Sequence, residues 1–346
     1  MGSKSRTGGF TRPTTVFVTG GTGFIGTKLV NALVGKGHTV RCLTRSTSNK
    51  VGLSHERIQF VVGNTLDKAS LAEGMKGCTQ VYHLAAYAKN WSRDPREFYR
   101  QNVDAMNAVF DAAEDAGVKR VVFTSSVVTM GPSRGASVRD ETMPRITAKY
   151  YTEYEETKSI AEEQAKQRAA AGFPVVIVNP TRVYGPGKLT EGNSVSLMID
   201  MYDRGKVPIL LNNGVNIGNY VFVDDLVRGF ILALERGNVG ERYILGGENI
   251  SLGGLFRLVD EISGKSHIQV PLPPGLAMVY SGAQELAARW LGIYPQITPK
   301  WVDTFLQDWA YVCTKAERDL GYTITPLKEG VRMTYQWLME QRRRKA

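Results

Sequence analysis

Cysteine and long apolar runs are both scarce in this chain of 346 residues. Cys42, Cys78 and Cys313 stand far apart and form no CxxC or zinc-ligand spacing. This excludes a disulfide-built scaffold and predicts free, mostly buried thiols and no metal site. No run approaches the roughly 18 apolar residues that span a bilayer, and residues 1–15 lack the apolar stretch of a signal peptide. We therefore expect a soluble, cytoplasmic protein without a transmembrane segment.

Acidic residues are too few to balance the basic ones, and the formal net charge is +10. Such a surplus raises the question of a nucleic-acid or anionic-membrane partner. Residues 1–13 and 340–346 each carry three of the ten net positive charges. We interpret them as a flexible tail over residues 1–13 and a basic tail over residues 341–346, both solvated, and expect no nucleic-acid partner.

Short apolar runs alternate with amphipathic helical patterns through the first half of the chain. Runs rich in β-branched and aromatic residues predict strands at 16–19, 38–43, 58–62, 80–84, 120–124 and 173–178. Helices are predicted between them, notably at 24–34, 95–116 and 149–171. This alternation indicates a parallel sheet covered on both faces. Right-handed crossovers then make it a doubly wound Rossmann α/β fold.

Glycine and proline interrupt this pattern after residue 179, and sheet-like runs return only at 219–223 and 242–245. We assign residues 14–180 and 219–247 to the Rossmann domain. Residues 181–218 and 248–340 are assigned to a smaller, mainly helical lobe that covers the carboxyl ends of the strands and holds the substrate. The apolar segment 275–294 is interpreted as a lid helix, a partner surface or core packing.

A glycine-rich loop follows the first predicted strand directly and opens the first helix. This context is the one that a dinucleotide-binding loop requires. Early glycines permit a tight turn and close approach to a pyrophosphate, and the last one lets the helix pack on the strand. The residues predicted to bind the nucleotide here are Gly20, Thr22, Gly23, Phe24, Ile25 and Gly26.

The end of the second predicted strand indicates which nucleotide is bound. NAD-specific sites usually place an acid there, which accepts from the ribose 2′-hydroxyl. This chain has Arg45 instead, and no acid occurs between residues 41 and 55. Because an arginine can grip a 2′-phosphate with two hydrogen bonds, we predict NADP(H), with NAD(H) less favoured.

Tyr154 and Lys158 form a YxxxK pair at the start of the helix between the fifth and sixth strands. Residues four apart share one face of a helix. Ser126 lies just past the fifth strand, at the edge where doubly wound sheets bind ligands. A tyrosine with the ordinary pKa of about 10 transfers protons slowly at neutral pH, and a nearby ammonium lowers that pKa. We therefore predict that these three residues are catalytic, with Ser126 polarising a substrate oxygen.

Several stretches together resemble the extended short-chain dehydrogenase/reductases, and among them the branch of the dihydroflavonol 4-reductases and 3β-hydroxysteroid dehydrogenases. They occur in order as VTGGTGFIG from residue 18, VYHLAA from 81, FTSS from 123, Tyr154 with Lys158, NPTRVYGPG from 179 and YVFVDD from 220. They span roughly residues 14–245, and KAERDLGY from residue 315 also fits.

The resemblance implies further nucleotide contacts. It implies that Leu84, Ala85 and Ala86 line the cofactor cleft, that Pro180 and Val183 sit beside the nicotinamide, and that Asn64 and Thr65 lie near the adenine. The chain departs from the family at Asn64, where an acid is usual.

The favoured hypothesis is that the protein is an NADPH-dependent carbonyl reductase, or the reverse alcohol dehydrogenase, on a small to medium lipophilic substrate. Aromatic and apolar residues near the strand ends are candidates for the substrate pocket, with core packing as the alternative. They are Tyr87, Trp91, Met130, Tyr150 and Tyr151. The sequence leaves a monomer and a homodimer open.

Two other functions remain open. A nucleotide-sugar 4-epimerase would retain NAD, and it commonly has a basic residue where this chain has Gly218 and Asn219. A sugar 4,6-dehydratase fits less well, because its acid pair is replaced here by Val127 and Val128. The second open hypothesis, beside the epimerase, is a non-catalytic, NADP-binding regulatory protein, which would not need an intact catalytic trio.

Overall fold

Twelve strands and twelve α-helices occur in the part of the chain that the computed structural model describes, residues 13–135, 137–206 and 209–344. The flexible tail expected over residues 1–13 lies, except for Pro13, outside the described residues. The strands are β1 (Thr15–Thr19), β2 (Thr39–Thr44), β3 (Ile58–Val62), β4 (Gln80–His83), β5 (Arg120–Thr124), β6 (Val175–Pro180), β7 (Arg182–Tyr184), β8 (Ile209–Leu211), β9 (Ile217–Phe222), β10 (Arg242–Leu245), β11 (Glu248–Ser251) and β12 (Val270–Leu272).

Helices separate most of these strands. They are α1 (Phe24–Gly35), α2 (Lys68–Met75), α3 (Arg96–Tyr99), α4 (Ala105–Asp115), α5 (Glu153–Ala170), α6 (Ser194–Asp203), α7 (Val223–Arg236), α8 (Leu252–Ser263), α9 (Pro274–Leu291), α10 (Pro299–Phe305), α11 (Thr314–Leu320) and α12 (Leu327–Arg343).

The main sheet has seven parallel strands in the order β10-β6-β5-β4-β1-β2-β3. The strand order reverses between β1 and β4, which is the switch point where doubly wound sheets bind ligands. Helices α1, α7 and α11 bury apolar side chains on one face of the sheet, and α2, α4 and α5 bury theirs on the other. The predicted Rossmann α/β fold is confirmed.

A smaller three-stranded sheet, in the order β11-β9-β7, stands next to the carboxyl end of β6. The sequence assigns residues 219–247 to the Rossmann domain, but β9 pairs with β7 and β11 rather than with the main sheet. Neighbouring helices α6, α8 and α12 form a third apolar core with these strands. The division into two domains stays a prediction. Strand β9 belongs to the smaller sheet and not to the main sheet.

The helix predicted over residues 95–116 is interrupted by a π-helical turn at Arg100–Asp104, between α3 and α4. Such turns insert one residue into a helix and often occur at functional sites. Here the turn presents the buried Asn102, whose side chain accepts from the Tyr87 amide (2.7 Å) and donates to the Thr157 hydroxyl (3.0 Å). The turn therefore connects the loop after β4 to α5.

The chain's basic C-terminal residues are not all solvated, contrary to the tail expected over residues 341–346. Helix α12 continues to Arg343, and Arg342 donates to the carboxylates of Asp200 (2.7 Å) and Asp203 (2.5 Å). These ion pairs tie α12 to α6 and remove Arg342 from the surplus of free charge.

Helix α9 carries the apolar segment that the sequence left as lid, partner surface or core. Its buried residues are the small Ala277, Ser281 and Ala288, whereas Val279 is 72% and Trp290 81% exposed. Core packing is therefore wrong for most of this helix. Across the described residues, no helix combines the length and the apolar character that crossing a membrane needs.

Candidate functional site

The loop after β1 is built so that backbone can approach backbone. Gly20 has φ +73°, and a Cβ placed there would lie 2.8 Å from the Ala85 nitrogen. A Cβ on Gly26 would lie 2.1 Å from the Gly20 carbonyl oxygen. Only glycine tolerates these contacts, so the loop presses against the end of β4 and holds α1 close to it. Leu84 and Ala85 thereby border the same cleft as the glycines.

The amino terminus of α1 is arranged to receive an anion. Gly23 is its N-cap, no side chain caps the helix, and its first turn carries no acid. Free N–H groups and the helix dipole both favour a phosphate at such a terminus. The cradle of glycines and the uncapped terminus thus fit the pyrophosphate of a dinucleotide, which Thr22, Phe24 and Ile25 would surround.

Lys188 adds positive charge to this cradle and was missed at the sequence level. Its Nζ donates to the carbonyl oxygens of Thr22 (2.9 Å) and Asn49 (3.2 Å). The preceding Gly187 packs against the ring of Phe24, where a Cβ would come within 2.6 Å. The loop after β7 therefore covers the glycine loop.

The residues predicted to lie near the adenosine follow the carboxyl ends of β2 and β3. Arg45 is exposed immediately after β2, and its amide donates to the Ser48 hydroxyl (3.1 Å), which fixes the turn. The side-chain oxygen of Asn64 accepts from the Leu66 amide (2.8 Å). Its amide nitrogen therefore remains the group with which Asn64 can contact a base, and Thr65 adjoins it.

Ser126 and Tyr154 meet at the carboxyl edge of the sheet. Ser126 follows β5 and caps a short 3₁₀ turn at Val127–Met130. Tyr154 is the second residue of α5, which begins after the capping Thr152. Burial raises the pKa of Tyr154 to about 12, and the hydrogen bond between Ser126 and Tyr154 opposes that rise. The Tyr154 hydroxyl is therefore protonated at neutral pH and can donate a proton.

Lys158 lies one helical turn beyond Tyr154 and is 1% exposed. Its Nζ donates to the Thr124 carbonyl oxygen (2.6 Å) and stands 4.6 Å from the centre of the Phe123 ring. Burial lowers the pKa of Lys158 to about 7, against the opposing charge of Glu162. The sequence predicts that Lys158 lowers the pKa of Tyr154. The structure differs, because burial dominates at Tyr154 and Ser126 supplies the opposing interaction.

Glu162, one further turn along α5, is a buried anchor that the sequence did not reveal. Its Oε2 accepts from Ser125 (2.5 Å), Asn179 (2.7 Å) and Thr129 (2.8 Å). Its Oε1 lies 3.1 Å from both Arg242 and Lys166. Burial alone would raise the pKa of Glu162, but these two charges and the hydrogen bonds hold it below its usual value.

This carboxylate also sets the position of Ser126. The Ser126 carbonyl oxygen accepts from Thr129 (2.9 Å) and from Asn179 (3.0 Å), and both donors also bind Glu162. Helix α5 therefore carries Tyr154, Lys158 and Glu162 at intervals of four residues on one face. The same face holds the proton donor, the ammonium and the anchor of the serine loop.

The predicted pocket residues divide into two groups. Met130 is 1% exposed and belongs to the core, as the packing alternative expects. The four aromatic residues are less buried, and each makes an edge-on ring contact or a contact with a cation. Tyr87 packs edge-on to Phe98 (4.9 Å), Trp91 to Tyr294 (6.2 Å) and Tyr151 to Trp309 (6.5 Å), and Arg145 covers the ring of Tyr150 (4.4 Å).

A dinucleotide cradle and a Ser–Tyr–Lys trio at the switch point of a doubly wound sheet define the class of protein, an NAD(P)-dependent oxidoreductase. Residues 16–246 match the model of the NAD dependent epimerase/dehydratase family. The chain belongs to this family of extended short-chain dehydrogenase/reductases, which confirms the resemblance found in the sequence.

Relatives with reductase names cover nearly the whole chain. A Synechocystis sp. protein named as a dihydroflavonol 4-reductase is 32% identical over 325 residues, 93% of each chain. The 4-hydroxy-2-methyl-3-oxo-4-farnesyl-3,4-dihydroquinoline-1-oxide ketoreductase of Stigmatella aurantiaca is 30% identical over 285 residues, 81% of this chain and 82% of the relative.

Solved structures agree on the fold. The crystal structure of gox2253 superposes with a TM-score of 0.81 at 32% identity, over 94% of this chain and 98% of that chain. A UDP-glucose 4-epimerase from Thermotoga maritima gives 0.78 at 23% identity, over 94% and 99% of the two chains. The second likeness shows the fold alone.

Proposed function

We propose that this protein is an NADPH-dependent carbonyl reductase, or the reverse alcohol dehydrogenase, on a small to medium lipophilic substrate. The observation that carries the proposal is the placement of Ser126, after β5, and of Tyr154 and the buried Lys158, on one face of α5, at the carboxyl edge of the sheet. A purely regulatory protein has no need of this arrangement. The reductase and ketoreductase names of relatives that are 30–32% identical support it.

Each residue of the trio has one task in this reaction. The nicotinamide, when bound, supplies or accepts the hydride. Tyr154 donates its proton to the carbonyl oxygen, and its pKa of about 12 keeps that proton available at neutral pH. Ser126 donates a hydrogen bond to the same oxygen and polarises the carbonyl. Lys158, held at the Thr124 carbonyl, offers its other N–H groups to the nicotinamide ribose.

Screening aldehydes and ketones for NADPH oxidation tests this function directly. The expected result is turnover of an apolar carbonyl compound, with an alcohol as product. Mass spectrometry of the purified protein separates the alternatives. Exchangeable NADP(H) agrees with a reductase, whereas tightly retained NAD without any carbonyl turnover would support a nucleotide-sugar 4-epimerase instead.

The pH dependence of nucleotide capture should follow Lys158. Its pKa of about 7 means that the ammonium is present below neutrality and is lost as the pH rises. We expect kcat/KM for NADPH, which reports ionisations of the free enzyme, to fall as the pH rises from about 6 to 9. Lys158→Arg keeps the charge throughout, so its profile should be flat over that range. An equal fall in both proteins would assign the ionisation elsewhere.

The preference for NADPH should depend on Arg45. The exposed guanidinium after β2 can form two charge-assisted hydrogen bonds to a 2′-phosphate, so the wild type should have a KM for NADPH about 10- to 100-fold below that for NADH. Arg45→Asp should reverse the order. Lys119→Asp makes the same charge change at an exposed position before β5, at the amino ends of the strands, whereas Arg45 lies at their carboxyl ends. It should leave the ratio of the two KM values unchanged. A wild-type preference for NADH would contradict the assignment of Arg45 as the residue that selects NADPH.

A further inference from the structure

Arg182, the first residue of β7, has room for its guanidinium because the neighbouring residue, Gly218, has no side chain. It stands opposite Tyr220 in the β7–β9 pairing, and its guanidinium lies against Gly218. A Cβ on Gly218 would come within 2.7 Å of the Arg182 Nη1, so no side chain larger than glycine fits there without displacing the arginine. The ring of Phe305 on α10 lies 5.4 Å from the guanidinium carbon, and that of Tyr220 lies 5.7 Å from it.

This guanidinium is left with most of its donors unused. Within the described ranges, its one hydrogen bond is a long one to the Tyr220 hydroxyl (3.4 Å), and no carboxylate lies within ion-pair distance. Four basic side chains close to the candidate pocket aromatics are, by contrast, paired with acids. These pairs are Arg145 with Glu155, Lys149 with Asp303, Lys300 with Glu153 and Lys89 with Glu191. A half-buried guanidinium flanked by rings and without a counter-charge is suited to bind an anion.

A chain of contacts through Trp309 connects Arg182 to the reacting groups. Trp309 pairs with Gly218, against which the guanidinium lies, and packs edge-on to Tyr151, which precedes Tyr154 by three residues.

Arg182 also follows the cofactor edge of the sheet closely in sequence. It lies two residues after Pro180, where β6 ends, and next to Thr181, whose hydroxyl is buried without a partner. Arg182 thus follows directly on the carboxyl end of β6, where Asn179 donates to the Ser126 carbonyl oxygen (3.0 Å).

We propose that Arg182 is an anion subsite of the substrate pocket, and that the preferred substrates are carbonyl compounds or alcohols that carry a carboxylate or phosphate group beside an apolar body. This inference rests on the proposed reductase activity. The partly exposed ring of Phe305 accepts the apolar body, and the guanidinium holds the anionic group with paired hydrogen bonds. Recognition of an anion selects among lipophilic carbonyl compounds that the aromatic residues alone would not distinguish.

Matched pairs of acids and esters test the subsite. The probes are 3- and 4-carboxybenzaldehyde and their methyl esters, which differ in charge and little in shape. For the wild type, kcat/KM should be about 10- to 100-fold higher for at least one acid than for its ester. Arg182→Gln should remove this ratio by raising KM for the acid, with kcat/KM for the ester within about threefold of the wild type. Arg182→Lys should restore part of it, because the charge remains but the paired geometry is lost.

Arg332→Gln is the matched control, since Arg332 is exposed on α12 and should leave the ratio unchanged. Equal kcat/KM for both acids and their esters in the wild type would overturn the proposal. So would an equal loss for acid and ester in Arg182→Gln, because that result would assign Arg182 a packing role.

A binding measurement keeps the subsite testable if no aldehyde is reduced. Calorimetric titration of the NADP⁺-loaded protein with isophthalate, with phenyl phosphate and with dimethyl isophthalate separates carboxylate, phosphate and neutral probes. Binding of an anionic probe that Arg182→Gln abolishes supports the subsite even where the reductase proposal fails. Absence of anion binding in the wild type, or identical binding in Arg182→Gln, contradicts the subsite whether or not the enzyme reduces carbonyls.

Discussion

Replacing Tyr154 with phenylalanine is expected to lower kcat for carbonyl reduction by about 10²- to 10⁴-fold, the range that general acid catalysis supplies. The variant keeps the ring and loses only the hydroxyl that bonds to Ser126. Its affinity for NADPH, measured by quenching of protein fluorescence, should stay within about twofold of the wild type, because the cradle at the glycine loop is untouched.

Tyr99→Phe is the control, since Tyr99 is an exposed tyrosine on α3 and belongs to none of the predicted site residues. It should turn over like the wild type. Undiminished turnover in Tyr154→Phe would show that another group delivers the proton, and the assigned mechanism would then be wrong.

Replacing Glu162 with glutamine should destabilise the protein more than any other single change considered for the site. The glutamine amide has only one acceptor oxygen, so it cannot serve both the donors Ser125, Thr129 and Asn179 and the guanidinium of Arg242. It also leaves Arg242 without its counter-charge. Breaking a buried pair from one side costs about 3–5 kcal/mol; because Arg242 is 19% exposed, we expect about 2–4 kcal/mol. Thermal denaturation should show a fall in Tm of roughly 5–10 °C.

The adjacent Glu163→Gln makes the same chemical change on the exposed side of α5 and should shift Tm by less than about 1 °C. In Glu162→Gln, kcat should fall as well, because the donors that hold the Ser126 carbonyl lose their own anchor. Equal Tm values for the two variants would contradict the role of Glu162.

The stability that Glu162 provides should also depend on pH. Its pKa is lowered in the folded protein, so its contribution is present above the unfolded pKa of about 4.5 and is lost as the pH falls through the folded value. The gap in Tm between wild type and Glu162→Gln should therefore be full at neutral pH and narrow in acid. A gap that stays constant down to about pH 3 would rule out titration of this carboxylate.

Local sequence patterns predicted the parallel sheet well. The bounds of β3, β5 and β10 match the apolar runs residue for residue, because short β-branched runs between turn residues leave little freedom. Helix α5 starts at Glu153 rather than near Lys149, since Glu155 binds the Tyr151 amide and Arg145 and so holds the preceding residues in a loop. No residue type signals the π-helical turn that presents Asn102.

Long-range pairing accounts for what the sequence did not show. The sheet that β9 joins depends on partners at β7 and β11, and an apolar run cannot name its partners. Tyr154, Lys158 and Ser126 could be predicted as a site because spacing and position after a strand are local signals. Glu162 and Arg182 were missed because their roles depend on Arg242, Asn179, Gly218 and Phe305, which are distant in sequence.

Transfer of deuterium from NADPH that carries two deuterium atoms at the nicotinamide C4 tests the central claim most directly. With a carbonyl substrate found by screening, the product alcohol should carry one deuterium on its carbinol carbon, and NADPH should be consumed in equal amount. Tyr154→Phe should form labelled alcohol only at its residual rate. If a broad panel of carbonyl compounds yields no labelled alcohol with either nucleotide, hydride transfer to a carbonyl is not the reaction of this protein.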